Sequence, residues 1–272
     1  MNQNPILRNI SMSAHALDLP TLISDIEELS RERSDKPGWV AACERSIDWL
    51  NDMNLTPPHQ IMSPDNTKLN FWNFSTLPGE KNCPGAGQCL EICFSFKAQR
   101  YPDAFFRQVL NTVMIRHRDG PLSHLTNAFL SLPYGSRFRL YCDGDFDSVE
   151  TVMYWMSLIG RRKDLDTFCY SKSWLELLAA DELMKGQWPD NFVLNESSGS
   201  MHGEDVAKQI RKLPIYRGPF SYVKVSNHGL ERYDKMEYKR EVISVARSEG
   251  LKGKLFCCPG KCGKCTSEGP LC

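Results

Sequence analysis

The chain has 272 residues, of which 41% are hydrophobic and 24% are charged, and this composition excludes disordered and fibrous classes of protein. Lysine plus arginine and aspartate plus glutamate both number 33. The resulting net charge of zero argues against a dedicated binder of duplex DNA, because affinity for phosphates comes mainly from excess positive charge. No apolar run approaches the ~20 residues needed to cross a bilayer. No basic and apolar signal segment is evident near the first residue, so we expect a cytoplasmic protein without a membrane partner.

The first part of the chain has the periodicity of helices. Residues 18–34 and 38–53 carry apolar side chains three and four positions apart, which predicts two amphipathic helices. A segment rich in proline and asparagine follows them and ends this section. We therefore predict an N-terminal helical cap over residues 1–65 and a (β/α) cluster-binding domain with a cysteine-rich tail over residues 66–272.

Short strand-like runs alternate with amphipathic helices over residues 66–272. The strand-like runs cover 69–74, 137–142, 166–171, 191–195, 220–225 and 254–258. Helices are expected at 103–117, 121–132, from 148, at 174–184, near 203–212 and near 233–248. This alternation predicts an α/β fold, a partial (β/α) barrel of about six parallel strands with right-handed crossovers. A doubly wound open sheet is the alternative, although no glycine-rich phosphate loop follows any strand.

Most of the 11 cysteines fall into two groups with short spacings. Cys83, Cys89 and Cys93 form a C-x5-C-x3-C loop, and the tail from Cys258 reads C-x3-C-x2-C-x6-C. In a reducing compartment such spacings favour a metal or a cluster over disulfides. Glycine and proline between the cysteines suit a backbone that wraps tightly around a small inorganic group.

The spacing favours an iron–sulfur cluster of the 4Fe-4S type over zinc. Zinc sites often use paired C-x2-C units, and only Cys262 and Cys265 offer that spacing, whereas a loop with wider, uneven gaps is closer to iron–sulfur ligation. Zinc and reduced free thiols are the alternatives. The predicted metal ligands are Cys83, Cys89, Cys93, Cys258, Cys262, Cys265 and Cys272.

Polar residues follow several of the predicted strands at the point where each strand ends. In a parallel βα array, sites collect at the carboxyl ends of the strands, because the βα loops all open on that edge. Both cysteine groups are expected at this edge too, although they are far apart in sequence. The predicted cofactor-binding residues there are Asp143, Gly144, Asp145, Lys172 and Ser198.

Each of these polar residues has a purely structural alternative. Asp143 and Asp145 could cap the following helix, although Asp147 or Ser148 is better placed to do so. Lys172 could be a solvated charge, and Ser198 could belong to a turn before a helix. The basic residues 116–118 are expected at a solvated helix end.

Four segments of the sequence are similar to the gene-product-88-like family of phage and plasmid proteins. These are CPGAGQCLEICF, RFRLYCDGDFDSVETVMYWM, DTFCYSKSW and the cysteine-rich tail, within a match of roughly residues 66–272. Phe94 stands where the family usually has tyrosine. The resemblance implies a cytoplasmic protein of a mobile element and brings no established reaction. A nucleic acid and a host protein are both open as partners.

A more distant resemblance is to radical S-adenosylmethionine enzymes. It implies a three-cysteine cluster loop after the first strand and, at Asp143-Gly144-Asp145, a turn that holds the amino group of S-adenosylmethionine. The usual spacing is C-x3-C-x2-C, and Phe96 stands where the third cysteine would be, so Cys83 would have to replace it. Two functions therefore stay open. One is a protein that binds a closed cluster, and the alternative is an enzyme with an open iron that acts on a nucleic acid or a small molecule.

Overall fold

The computed structural model of the chain describes residues 4–64, 71–79, 81–117, 121–220, 235–248 and 250. Within these ranges the chain forms a six-stranded sheet in which β1 is antiparallel to β2 and every other neighbouring pair is parallel. The strands are β1 (Ser63–Pro64), β2 (Trp72–Asn73), β3 (Arg137–Leu140), β4 (Asp166–Ser171), β5 (Phe192–Ser197) and β6 (Tyr216–Phe220).

Helices precede the sheet and connect its strands. They are α1 (Pro5–Ala16), α2 (Leu19–Glu32), α3 (Pro37–Asn51), α4 (Pro102–His117), α5 (Leu122–Leu130), α6 (Val149–Arg161), α7 (Trp174–Met184), α8 (Glu204–Ile210) and α9 (Lys235–Ser248). Two short 3-10 helices, Gln88–Ile92 and Phe94–Arg100, lie between β2 and α4. None of the helices in the described ranges combines the length and the apolar character that crossing a membrane requires.

The strands lie side by side in chain order. Along the chain, α4 packs on α5, α5 on α6, α6 on α7, and α7 on α8, so the helices follow the same order as the strands. This arrangement has no reversal of strand order, which the doubly wound alternative requires. The α/β class and a mostly parallel sheet of about six strands are thus confirmed. The sheet is not closed, and its curvature into a partial barrel stays a prediction.

Both outer strands of the described sheet contain proline, and the sequence predictions were least accurate there. Neither the short β1 nor β6 over residues 216–219 was predicted. Of the strand predicted at 220–225, only Phe220 belongs to the described residues, and residues 221–225 lie outside them. Gly218 and Pro219 within β6, and Pro64 within β1, are poor strand formers that sheets accept at their edges. The run predicted as a strand at 254–258 lies outside the described residues.

An additional helix precedes the two that the periodicity predicted. The side chain of Asn4 accepts hydrogen bonds from the backbone N–H groups of Ile6 and Leu7 at 2.9 and 3.3 Å, and Pro5 occupies the first helical position. This is the usual chemistry of a helix start. Residues of α1 share one hydrophobic core with residues of the sheet and its helices.

An aromatic cluster around Trp155 fixes β3 against α6. The Trp155 ring is fully buried and lies 5.0 Å from the ring of Phe74 and 5.8 Å from that of Phe129. Its Nε1 donates a hydrogen bond of 3.2 Å to the hydroxyl of Tyr141. Tyr141 directly follows β3 and has a left-handed backbone conformation with φ of 57°. The cluster therefore holds the point at which the chain turns from β3 into the following loop.

A partly buried histidine between α3 and β1, His59, should make stability depend on pH. Nε2 of His59 donates to Oδ1 of Asn111 on α4 at 3.2 Å, and burial lowers the pKa of His59 to about 4. The pKa of histidine in an unfolded chain is about 6.5. As the pH falls below that value, the unfolded state therefore binds more protons than the folded state. The free energy of unfolding should therefore drop by about 2 kcal/mol between pH 7 and pH 5.

Urea denaturation at the two pH values measures this drop, with His59→Gln as the matched variant. Glutamine keeps an amide donor for Asn111 and does not titrate, so it should remove most of the difference between pH 7 and pH 5. Burial also lowers the pKa of His15, which leaves a smaller dependence of the same sign. An equal drop in the wild-type chain and in His59→Gln would show that His59 does not cause it.

Candidate functional site

The loop that carries Cys83, Cys89 and Cys93 pairs with the segment that follows β5. Residues 85–87 pair with residues 199–201 through two backbone hydrogen bonds of 3.0 Å, in which Gly87 donates to Gly199 and Gly85 accepts. An isolated antiparallel bridge lies between these two bonds. The loop is thus held at the C-terminal end of β5, at the edge where the sequence predicted a site.

Two glycines of this loop permit its close approach to the sheet. A Cβ atom on Gly85 would lie 1.6 Å from the backbone oxygen of Lys172, and one on Gly87 would lie 2.9 Å from the backbone nitrogen of Met201. Both obstacles are backbone atoms, which cannot move aside as a flexible side chain can. Any side chain at Gly85 would therefore displace the loop from the end of β4.

The three cysteines of the loop are not joined in disulfides. The backbone N–H of Cys83 donates to Gly79 at 2.8 Å, and Cys89 lies in the 3-10 helix that follows the glycines. Burial raises the pKa of the Cys83 thiol, and the carboxylate of Asp145 and the thiol of Cys93 act in the same direction. A thiolate at Cys83 therefore needs a nearby cation to be stable.

The described residues hold only part of the predicted metal site. They contain no group of three or more Cys, His, Asp or Glu side chains arranged to hold a metal ion. The tail cysteines Cys258, Cys262, Cys265 and Cys272 lie outside the described residues, so the convergence of the two groups stays a prediction. The donor type is suitable, because unpaired thiols are the ligands that iron–sulfur clusters and zinc use.

Asp145 connects the loop after β3 to the end of β4. Its side chain is only 5% exposed and accepts three hydrogen bonds. The hydroxyl of Ser171 donates to Oδ1 at 2.7 Å, the N–H of Phe146 to Oδ1 at 2.9 Å, and the N–H of Lys172 to Oδ2 at 2.7 Å. Burial raises the pKa of this carboxyl, whereas the bonds from Lys172 and Ser171 lower it. Both oxygens of Asp145 are thus engaged by the protein.

Asp147 and Ser148, which follow the turn that contains Asp145, stabilise the start of α6. Ser148 is the N-cap, and its hydroxyl accepts from the N–H of Thr151 at 3.3 Å. Asp147 accepts from the Thr151 hydroxyl at 2.6 Å and forms an ion pair with Arg116. Capping by Ser148 rather than by Asp143 or Asp145 is therefore confirmed. Arg116 lies in the last turn of α4, as predicted. It is not a free surface charge, however, because it pairs with the nearly buried carboxylate of Asp147.

Lys172 and Ser198 connect neighbouring strands at the same edge. Nζ of Lys172 donates to the hydroxyl of Ser197 at 2.8 Å, which joins the ends of β4 and β5. The backbone N–H of Ser198 donates to Phe220 at 2.9 Å, which joins β5 to β6. Lys172 is therefore half-buried and hydrogen-bonded rather than a free surface charge. It also interacts electrostatically with the Cys83 thiol.

Gly144 and Asp143 have different neighbours from those of Asp145. Gly144 has φ of 78°, and a Cβ atom there would lie 1.9 Å from Oγ1 of Thr76, so this turn requires glycine. The backbone oxygen of Asp143 accepts from the N–H of Thr76 at 3.0 Å. The residue Asp143 itself lines a cavity of about 310 Å³ between α4 and the ends of β2 and β3.

Several residues that build this edge have no signal in the sequence. The backbone oxygen of Asn82 accepts a hydrogen bond of 3.0 Å from the backbone N–H of Asp145. The side-chain oxygen of Asn82 lies 2.9 Å from Nδ1 of His15 on α1. Arg107 and Gln108 of α4 line the cavity at Asp143. All of them lie outside the cysteine groups and the strand ends, so only the tertiary structure identifies them.

The comparisons with known proteins identify the family. The sequence profile of a family described as Gene product 88 matches residues 51–266. No curated protein and no solved structure matches the chain, and the similarity to radical S-adenosylmethionine enzymes is not among the matches. The matched range covers well over half of the chain. It includes the cysteine loop, the Asp145 contacts and the cavity, and it starts at the end of α3, before the range of the sequence resemblance. The chain therefore belongs to the Gene product 88 family.

Proposed function

We propose that the chain is a mobile-element protein that binds an iron–sulfur cluster, with zinc as the alternative metal. Cys83, Cys89 and Cys93 would supply the first thiolates. The tail cysteines would supply the remaining ligands, from Cys258, Cys262, Cys265 and Cys272. The observation that carries this proposal is the docking of the cysteine loop, through Gly85 and Gly87, onto the edge where parallel strands end.

The electrostatics around Cys83 support a cation at this edge. Burial and the Asp145 carboxylate disfavour a bare Cys83 thiolate, whereas a bound metal cation deprotonates a thiol that coordinates it. Lys172 is the cationic side chain that already favours negative charge on Cys83. When bound, a cluster or a zinc ion would fasten the loop to the tail and would add folding free energy.

Metal analysis of the purified chain tests the proposal. After anaerobic purification we expect about four irons and four sulfides per chain for a 4Fe-4S cluster, or zinc in a colourless protein. Cys89→Ser and Cys93→Ser should each reduce the metal content to background, because each removes a thiolate. Cys43→Ala is the matched control, since Cys43 is buried in α3, and it should keep the metal. Unchanged metal in Cys89→Ser and Cys93→Ser would remove this loop from the ligand set.

The tail cysteines decide between a closed cluster and the enzyme alternative. A closed four-thiolate site loses its metal when the ligating tail cysteine is replaced, so one of Cys258→Ser, Cys262→Ser, Cys265→Ser and Cys272→Ser should empty it. Three thiolates from the loop alone would leave one iron open, and all four tail variants would then keep their iron. That second result would favour an enzyme that binds S-adenosylmethionine.

A further inference from the structure

We infer that Lys172 sets the reduction potential of the cluster, because its ammonium group stabilises the negative charge of the reduced state. The inference rests on the proposed cluster and adds a role for a residue that cannot be a ligand, since an ammonium group has no acceptor. Reduction transfers one electron from a low-potential donor to the irons and breaks no bond, so the charge of the site becomes more negative by one unit. Charge is one of the factors that set the potential of a cluster.

The backbone of Lys172 is fixed against the cysteine loop on both sides of Cys83. Its backbone oxygen is the atom that a Cβ atom on Gly85 would meet at 1.6 Å. Its backbone N–H donates to Oδ2 of Asp145 at 2.7 Å, and the N–H of Asp145 donates to the backbone oxygen of Asn82 at 3.0 Å. The end of β4 is therefore tied to positions 82 and 85 of the loop, which enclose Cys83 in the sequence.

The side chain of Lys172 is held at the place where this loop meets the sheet. Its Nζ donates to the hydroxyl of Ser197, the last residue of β5, at 2.8 Å. Two residues further along the chain, Gly199 accepts the backbone hydrogen bond from Gly87 that docks the loop. Ser197 is buried and Lys172 is half-buried. The ammonium group is therefore fixed beside the loop and does not move freely in solvent.

The charge of Lys172 has no close counter-charge in the part of the chain that the structure describes. No carboxylate oxygen of the described residues lies within 4.0 Å of its Nζ, and the hydroxyl of Ser197 that accepts its hydrogen bond is neutral. Burial raises the pKa of the Cys83 thiol and of the Asp145 carboxyl, and the charge of Lys172 lowers the pKa of both groups. The same charge would favour added negative charge on a cluster held by Cys83.

Redox titration of the anaerobically purified full chain with dithionite, followed by EPR spectroscopy, tests the inference. Lys172→Met should shift the equilibrium tenfold toward the oxidised state, which lowers the potential by about 59 mV for one electron, and should keep the wild-type iron content. Lys172→Gln should have the same effect. It is also neutral but keeps a donor for Ser197, so it remains informative if Lys172→Met fails to fold. Lys172→Arg keeps the charge and should shift the equilibrium less than threefold.

Lys163→Met is the matched control, since Lys163 is an exposed lysine just before β4, at the opposite end of the same strand. It changes the net charge of the chain equally and should leave the potential unchanged. An unchanged potential in the two neutral Lys172 variants, loss of the cluster from both, or an equal shift in Lys163→Met would overturn this inference alone. A wild-type chain without iron and sulfide would instead overturn the cluster proposal, and this inference with it.

Discussion

Replacing Asp145 with alanine should lower the free energy of unfolding by about 3 kcal/mol, one of the two largest effects that we expect. The variant removes the acceptor for the hydroxyl of Ser171 and for the N–H groups of Phe146 and Lys172. Each buried donor left without a partner is unfavourable by roughly 1–3 kcal/mol, and removal of a buried carboxylate offsets part of this sum. Urea denaturation followed by tryptophan fluorescence measures the change.

Asp143→Ala is the control for this prediction, because it removes a carboxylate from the same turn. Asp143 makes no side-chain hydrogen bond or ion pair with the described residues, so its loss should change the free energy of unfolding by less than about 0.5 kcal/mol. Similar effects of the two variants would contradict the contacts that distinguish Asp145 from Asp143. A change below about 1 kcal/mol in Asp145→Ala would contradict them too.

The fold was predictable where local patterns and chain topology agree. The helix predicted at 103–117 is α4, Pro102–His117, and the strand predicted at 166–171 is β4 with the same bounds. Periodicity and proline at a helix start identify such elements. The parallel arrangement followed from the alternation of strands and helices. The edge strands were not predictable in this way, because proline and glycine hide them from any pattern.

The location of the cysteine loop was predictable, but its docking partner was not. A loop that follows a parallel strand must lie at the C-terminal edge of the sheet, which is where Cys83 and its neighbours lie. The pairing of residues 85–87 with 199–201 joins segments that are far apart in sequence. A glycine in the sequence indicates that another segment of backbone can approach it closely, but it does not identify that segment.

The different environments of Asp143 and Asp145 also could not be read from the sequence. Both are acidic residues of one short turn, and either could face the sheet. Gly144 lies between them in a left-handed conformation with φ of 78°, and a Cβ atom there would lie 1.9 Å from Oγ1 of Thr76. Similarly, Arg107 and Gln108 belong to a helix whose pattern does not reveal a cavity beside it. Such distinctions depend on tertiary contacts that no local pattern encodes.

Replacing Gly85 with alanine should displace the cysteine loop and should have the other of the two largest effects. The added methyl group would lie 1.6 Å from the backbone oxygen of Lys172, and no rotamer change can relieve a clash between a Cβ atom and a backbone atom. The loop must lift, which breaks the backbone hydrogen bonds that join it to Gly199 and Met201. We expect the free energy of unfolding to fall by about 3 kcal/mol and the metal content to fall to background.

Gly160→Ala is the matched control, because a Cβ atom there meets only Cγ of Pro189 at an ordinary 3.9 Å. Gly160 lies in α6, where alanine is favoured over glycine by about 1 kcal/mol, so this variant should be neutral or stabilising and should keep its metal. Unfolding and metal content are measured on the same preparations. A Gly85→Ala chain that is as stable as the wild type and keeps its metal would contradict the docked loop. A Gly85→Ala chain that is stable but has lost its metal would show that docking of the loop positions the cysteines and contributes little to the stability of the fold.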